Sequence, residues 1–96
     1  MHGEYKMPGG KLVVADVDVR DGHLANVEIS GDFFLEPDSA LDSIDAALEG
    51  LPASSDEAAL AAAIAAALGT GVSMYGVSPE AIAVAAWRAL HLDPGA

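Results

Sequence analysis

Three stretches of this sequence carry residue types and spacings that could do chemistry. Pro8-Gly9-Gly10-Lys11 offers glycine amides and a lysine, the groups that cradle phosphate oxygens. A phosphate loop of the Walker kind, however, needs G-x-x-x-x-G-K-[ST] running into a helix N-terminus. Here Lys11 leads into alternating apolar residues, which reads as a turn before a strand. Asp16 and Asp18 share one strand face, a spacing at which like charges can raise one pKa for acid–base work, whereas on an exposed strand both stay solvated. Ser30-Gly31-Asp32-Phe33-Phe34 sets the only two phenylalanines beside a Gly-Asp pair, either a strand end with both rings reaching for the core or a piece of a site.

Other chemistries lack their parts. His2, His23 and His91 fall in separate elements with no acidic partner at ligand spacing, so no metal is expected. No G-x-S-x-G elbow or Ser-His-Asp pattern is present. The absence of cysteine removes thiol catalysis, thiolate zinc sites, disulfides and iron–sulfur ligation. Trp87 reads as a partner anchor or a core-edge residue, and its place beside an apolar helical stripe favours the core edge.

Fifteen acidic against four basic residues give a net charge of -11, which repels phosphate backbones and anionic lipid headgroups. Nucleic acid and membrane surfaces are therefore not expected partners. The longest apolar stretch, Ala58 to Leu68, is too short to span a bilayer, and "MHGEYKMPGG" has no secretory pattern, so a cytoplasmic location is expected.

These residues must be positioned by a small α+β domain spanning 1–96, with a sheet over about 4–35 and helices over about 38–92. Val13, Ala15, Val17 and Val19 point one way, and Ala25, Val27 and Ile29 share a face of the next strand. A two-residue loop at Asp21-Gly22 would set Val17 against Asn26, apolar face against polar face. A three-residue loop, Arg20-Asp21-Gly22, instead pairs Val19 with His23, Val17 with Ala25, Ala15 with Val27 and Val13 with Ile29. "EYKM" supplies a third strand. Three helices follow. Leu41, Ile44 and Leu48 mark the first, with Asp38 as N-cap and Gly50 beyond its end. Ser54-Ser55-Asp56-Glu57 fits a capping box that opens the second, carrying Leu60, Ile64 and Leu68 and stopped by Gly69 and Gly71. Ser78-Pro79 opens the third, with Ile82, Ala86 and Leu90. Strands first and helices afterwards predict an antiparallel sheet of two or three strands with helices on one face.

Taken in order and spacing, Gly9-Gly10-Lys11, the Asp21-Gly22 hairpin, Ser30-Gly31-Asp32-Phe33-Phe34 and "MYGVSPEAI" resemble the accessory domain of lipoate-protein ligases over nearly the whole chain. This domain usually follows a large catalytic domain, and the present chain looks like its separate, small-subunit form.

The resemblance implies a SufE/NifU-like fold, in agreement with the strand-then-helix reading. It also implies that a catalytic partner activates lipoate with ATP and magnesium to lipoyl-adenylate, then transfers the lipoyl group to a lysine of a carrier domain. The accessory part is expected not to be catalytic alone or to bind a cofactor by itself, and to form a heterodimer with the catalytic subunit, with the lipoyl carrier domain joining the complex. Residues expected to border the partner or close the active site are Gly9, Gly10, Lys11, Gly31 and Asp32, because both loops fall at one end of the hairpin. Two readings from other classes stand beside this one: an interaction module of the same fold docking another enzyme, and an enzyme using Asp16, Asp18 and Asp32 as acids or bases.

Overall fold

In the computed structural model, which describes residues 1–9, 11–37, 39–69 and 71–91, the apolar alternation builds an antiparallel sheet of β1 (His2–Lys6), β2 (Leu12–Arg20) and β3 (His23–Gly31) in that spatial order. Val13, Ala15, Val17, Leu24, Val27 and Ile29 are buried on the helix-covered face, and no polar or charged residue is buried among the described residues. The expected third strand is present, with Tyr5 opposite Val13 and Lys6 opposite Leu12.

The hairpin register differs from the expected one. Arg20 pairs with His23 across a two-residue turn, and Asp21 and Gly22 have φ of 52° and 77°, the left-handed pair that a type I′ turn requires. Val19 faces Leu24 and Asp18 faces Ala25, but farther along Asp16 faces Glu28, Ala15 faces Ile29 and Val13 faces Gly31. The shift is a β-bulge in which Asn26 and Val27 together stand opposite Val17, with Asn26 at φ 51°. The short loop does put the two strands out of phase; the bulge restores the phase by returning Val27 and Ile29 to the core face.

Helices α1 (Ala40–Leu48), α2 (Glu57–Leu68) and α3 (Pro79–His91) follow, with β4 (Phe34–Glu36) before α1 and β5 (Ser73–Tyr75) before α3. α3 packs on β1 and β2, α1 packs on β3, and α2 packs against both of these helices. The cap of α2 is Asp56, which accepts from the Ala59 amide at 2.8 Å, rather than Ser54 of the expected capping box, and Ser78 caps α3 by accepting from the Ala81 amide at 3.1 Å. The N-cap position of α1 is Ser39, without a side-chain capping bond; the expected cap, Asp38, lies outside the described residues. Ile44, Leu48, Leu60, Ile64 and Ile82 are fully buried, as their helical spacing predicts. At Gly3 a Cβ would stand 2.3 Å from the Ala85 carbonyl oxygen and from the Ala89 amide nitrogen, so β1 rests directly on the α3 backbone.

The outer edge of β3 is covered. Leu24 exchanges backbone hydrogen bonds with Gly50 and Leu51 at 2.8 Å each, and the Ala53 amide donates to the Gly22 carbonyl at 2.8 Å. The Glu49 carboxylate accepts from the Asn26 amide at 2.6 Å and from the Val27 amide at 3.4 Å, and Asp45 accepts from the Ile29 amide at 3.1 Å. Acidic residues one helical turn apart, on and just past α1, thus serve the amides that the bulge and the strand edge leave without a neighbouring strand.

Candidate functional site

The turn between β1 and β2 closes with the Met7 amide donating to the Lys11 carbonyl at 2.8 Å. At the end of β3, Val13 faces Gly31 and the Asp32 amide donates to the Leu12 carbonyl at 3.1 Å, which brings the two loops to the same end of the sheet. Lys11, Gly31 and Asp32 line an open concavity of about 480 Å³ together with Phe33 and Phe34. Gly9 lies on the exposed turn with φ 99° and nothing near the place a Cβ would take, and Gly10 lies outside the described residues.

The backbone itself accounts for Gly31. Its φ is 152°, and a Cβ there would be 2.1 Å from the Leu12 carbonyl oxygen. The stem of Lys11 lies over Gly76, where a Cβ would meet the lysine Cγ at 3.0 Å, and the residue as a whole is exposed. Among the described residues no ion pair joins Lys11 to Asp32.

Beside this corner lies an element that the sequence pattern did not announce. β4 and β5 form a two-stranded antiparallel ribbon in which Phe34 faces Tyr75, Leu35 faces Met74 and Glu36 faces Ser73. Leu35 is buried and Met74 half-buried against the core, whereas Phe34 is 76% and Tyr75 54% exposed. The expectation that both phenylalanines reach the core therefore holds only for Phe33, which packs against it. Strand alternation turns the neighbouring side chain outward. A second open concavity, of about 500 Å³, is bounded by Phe34, Leu35, Glu36, Pro37 and Tyr75.

The remaining titratable candidates have local partners. His2 lies between two carboxylates that the fold brings to it, with Nδ1 2.8 Å from Asp16 and Nε2 2.6 Å from Glu4. Hydrogen bonds to Glu4 first and Asp16 second raise its pKa above the usual histidine range. Carboxylates on opposite ring nitrogens favour the protonated imidazole, in which both nitrogens donate. Among the described residues no group of three or more His, Asp or Glu is arranged for a metal ion. His23 Nδ1 is 2.8 Å from the Asp21 carbonyl oxygen. Asp18 accepts from Asn26 Nδ2 at 3.0 Å, so Asp16 and Asp18 are engaged separately. Trp87 is half-buried at the core edge, 4.6 Å from the His91 ring. Pairing of His2 with Asp16 becomes legible only once the β1–β2 register is known.

No protein-family model and no curated protein matches the chain. Among solved structures, it matches a chain from an archaeal lipoylation system, a bipartite lipoate protein ligase and its E2 lipoyl domain from Thermoplasma acidophilum. The TM-score is 0.64 at 24% sequence identity, covering 95% of this chain and 98% of that one. The likeness establishes a shared small α+β fold. Among the described residues no helix is long and apolar enough to cross a membrane.

Proposed function

We propose that this chain is the accessory subunit of a two-part lipoate-protein ligase, acting in the cytoplasm on a separate catalytic subunit. The observation that carries this reading is the end-to-end correspondence with a chain of a bipartite ligase system, 95% of this chain against 98% of that one. The ordered motifs Gly9-Gly10-Lys11, Ser30-Gly31-Asp32-Phe33-Phe34 and "MYGVSPEAI" support it. Lipoate, ATP and magnesium bind the catalytic partner; this chain supplies a rigid surface that closes over the site, excludes water from the mixed anhydride and orients loops of the larger subunit. The Lys11, Gly31 and Asp32 corner borders that contact.

The test is adenylation with two purified proteins: this chain and the catalytic ligase subunit of the same organism, with lipoate, ATP and magnesium. Lipoyl-adenylate is expected only from the mixture, and Lys11→Ala is expected to reduce its formation. Product from this chain alone would make it an enzyme. A lipoyl mass added to Lys6 or Lys11 would make it an acceptor, and no product from the mixture would return the chain to the class of interaction modules for another enzyme.

A further inference from the structure

The aromatic pair on the β4–β5 ribbon stands outside the buried core. Phe34 and Tyr75 are directly opposed, so their rings leave the same face of the ribbon, next to Glu36 and Ser73. Both are among the large apolar or aromatic side chains left exposed, while Leu35 and Met74 on the reverse face hold the ribbon to the core. The aromatics consequently stand on an anchored platform, and concavities open on either side of Phe34, one toward Lys11 and Asp32 and one toward Pro37. Exposed aromatic side chains framed by polar residues have the composition of an interface centre with its rim.

Charge selects the occupant. A second copy would bring another net charge of -11 to a face already bordered by Asp32 and Glu36, and the like charges would repel. A cationic protein surface is attracted by the same field.

We propose that the Phe34–Tyr75 face docks into an apolar slot of the catalytic subunit, ringed by Lys or Arg side chains that meet Asp32 and Glu36. This assignment rests on the accessory-subunit reading for the identity of the partner and adds the place and chemistry of contact. The aromatic pair supplies the central buried contact, while the acidic rim speeds encounter.

Titration of the catalytic subunit with the parent chain, the double variant Phe34→Ser/Tyr75→Ser, the single variant Glu36→Lys and the control Val19→Ser tests it. Val19 is an exposed apolar residue on the hairpin, away from the ribbon. The double variant is expected to keep the parent's circular dichroism spectrum and weaken binding at least about tenfold. Glu36→Lys is expected to slow association and lessen its salt dependence, Val19→Ser to leave affinity unchanged, and Phe34→Tyr/Tyr75→Phe to retain it. Parent affinity in both the double variant and Glu36→Lys would overturn the docking face while leaving the accessory function intact. A parent chain that does not bind the catalytic subunit would overturn both. A homodimer that the double variant dissolves would assign the face to a second copy and overturn the proposal.

Discussion

Asp45 shows how one side chain can serve the fold and strain it at once. Its carboxylate accepts the Ile29 amide, yet its pKa is pushed up to about 6, first by burial and then by the negative charges of Asp42, Glu28 and Glu49, against the lowering effect of the Ile29 bond. A folded-state pKa above the unfolded value means that the folded chain holds a proton which the unfolded chain releases. Stability therefore falls as pH rises from about 4 to about 6, and the ionised group is a net cost above that window. Asp45→Asn keeps an oxygen for the Ile29 amide and removes the charge. The variant is expected to exceed the parent in stability at pH 7 by on the order of 1 kcal/mol, reduced by the solvent that screens a half-buried carboxylate. Thermal melts should show the gap closing as pH is lowered toward 4; a pH-independent gap would contradict the account.

The hairpin shows where periodicity is a sufficient guide and where it is not. Helix starts could be read to within about a turn because caps do short-range work: Ser78 is the cap its sequence suggests, and Asp56 lies inside the Ser54–Glu57 motif, two residues past its first serine. The bulge left a fainter trace: Leu24, Val27 and Ile29 are all buried, so spacing by three gives way to spacing by two at Asn26, a residue type tolerant of positive φ. The β4–β5 ribbon left almost none, since three-residue strands far apart in sequence have no measurable period. Of the candidate site, the meeting of Lys11 with Gly31 and Asp32 was legible from hairpin connectivity; the outward turn of Phe34 was not, because it depends on pairing with Tyr75. Asn26→Val puts a β-branched side chain at φ 51° and removes the bond to Asp18, so a loss of about 1–2 kcal/mol is expected from the backbone alone. Asn26→Gly should lose less. Urea denaturation checks the order, and equal losses would show that the backbone angle does not govern the site.

For the whole molecule, the few basic residues are deployed sparingly. Arg88 donates to the Glu4 carbonyl at 3.0 Å and sits 5.0 Å from the centre of the Tyr5 ring, fastening α3 to β1, while the stem of Lys11 crosses Gly76. The acidic excess makes copies of the chain repel one another. The covered edge of β3 draws on the same kind of group, since Asp45 and Glu49 occupy amides that another strand would otherwise seek. Colloidal repulsion needs ionised carboxylates, whereas acceptance of the edge amides needs only a carboxyl oxygen, so acid removes the first and leaves the second. Near the isoelectric point of about 4.2 the chain should therefore self-associate more readily than at pH 7 without binding thioflavin, whereas thioflavin-positive aggregates there would show that the β3 edge is guarded by charge rather than by its hydrogen bonds.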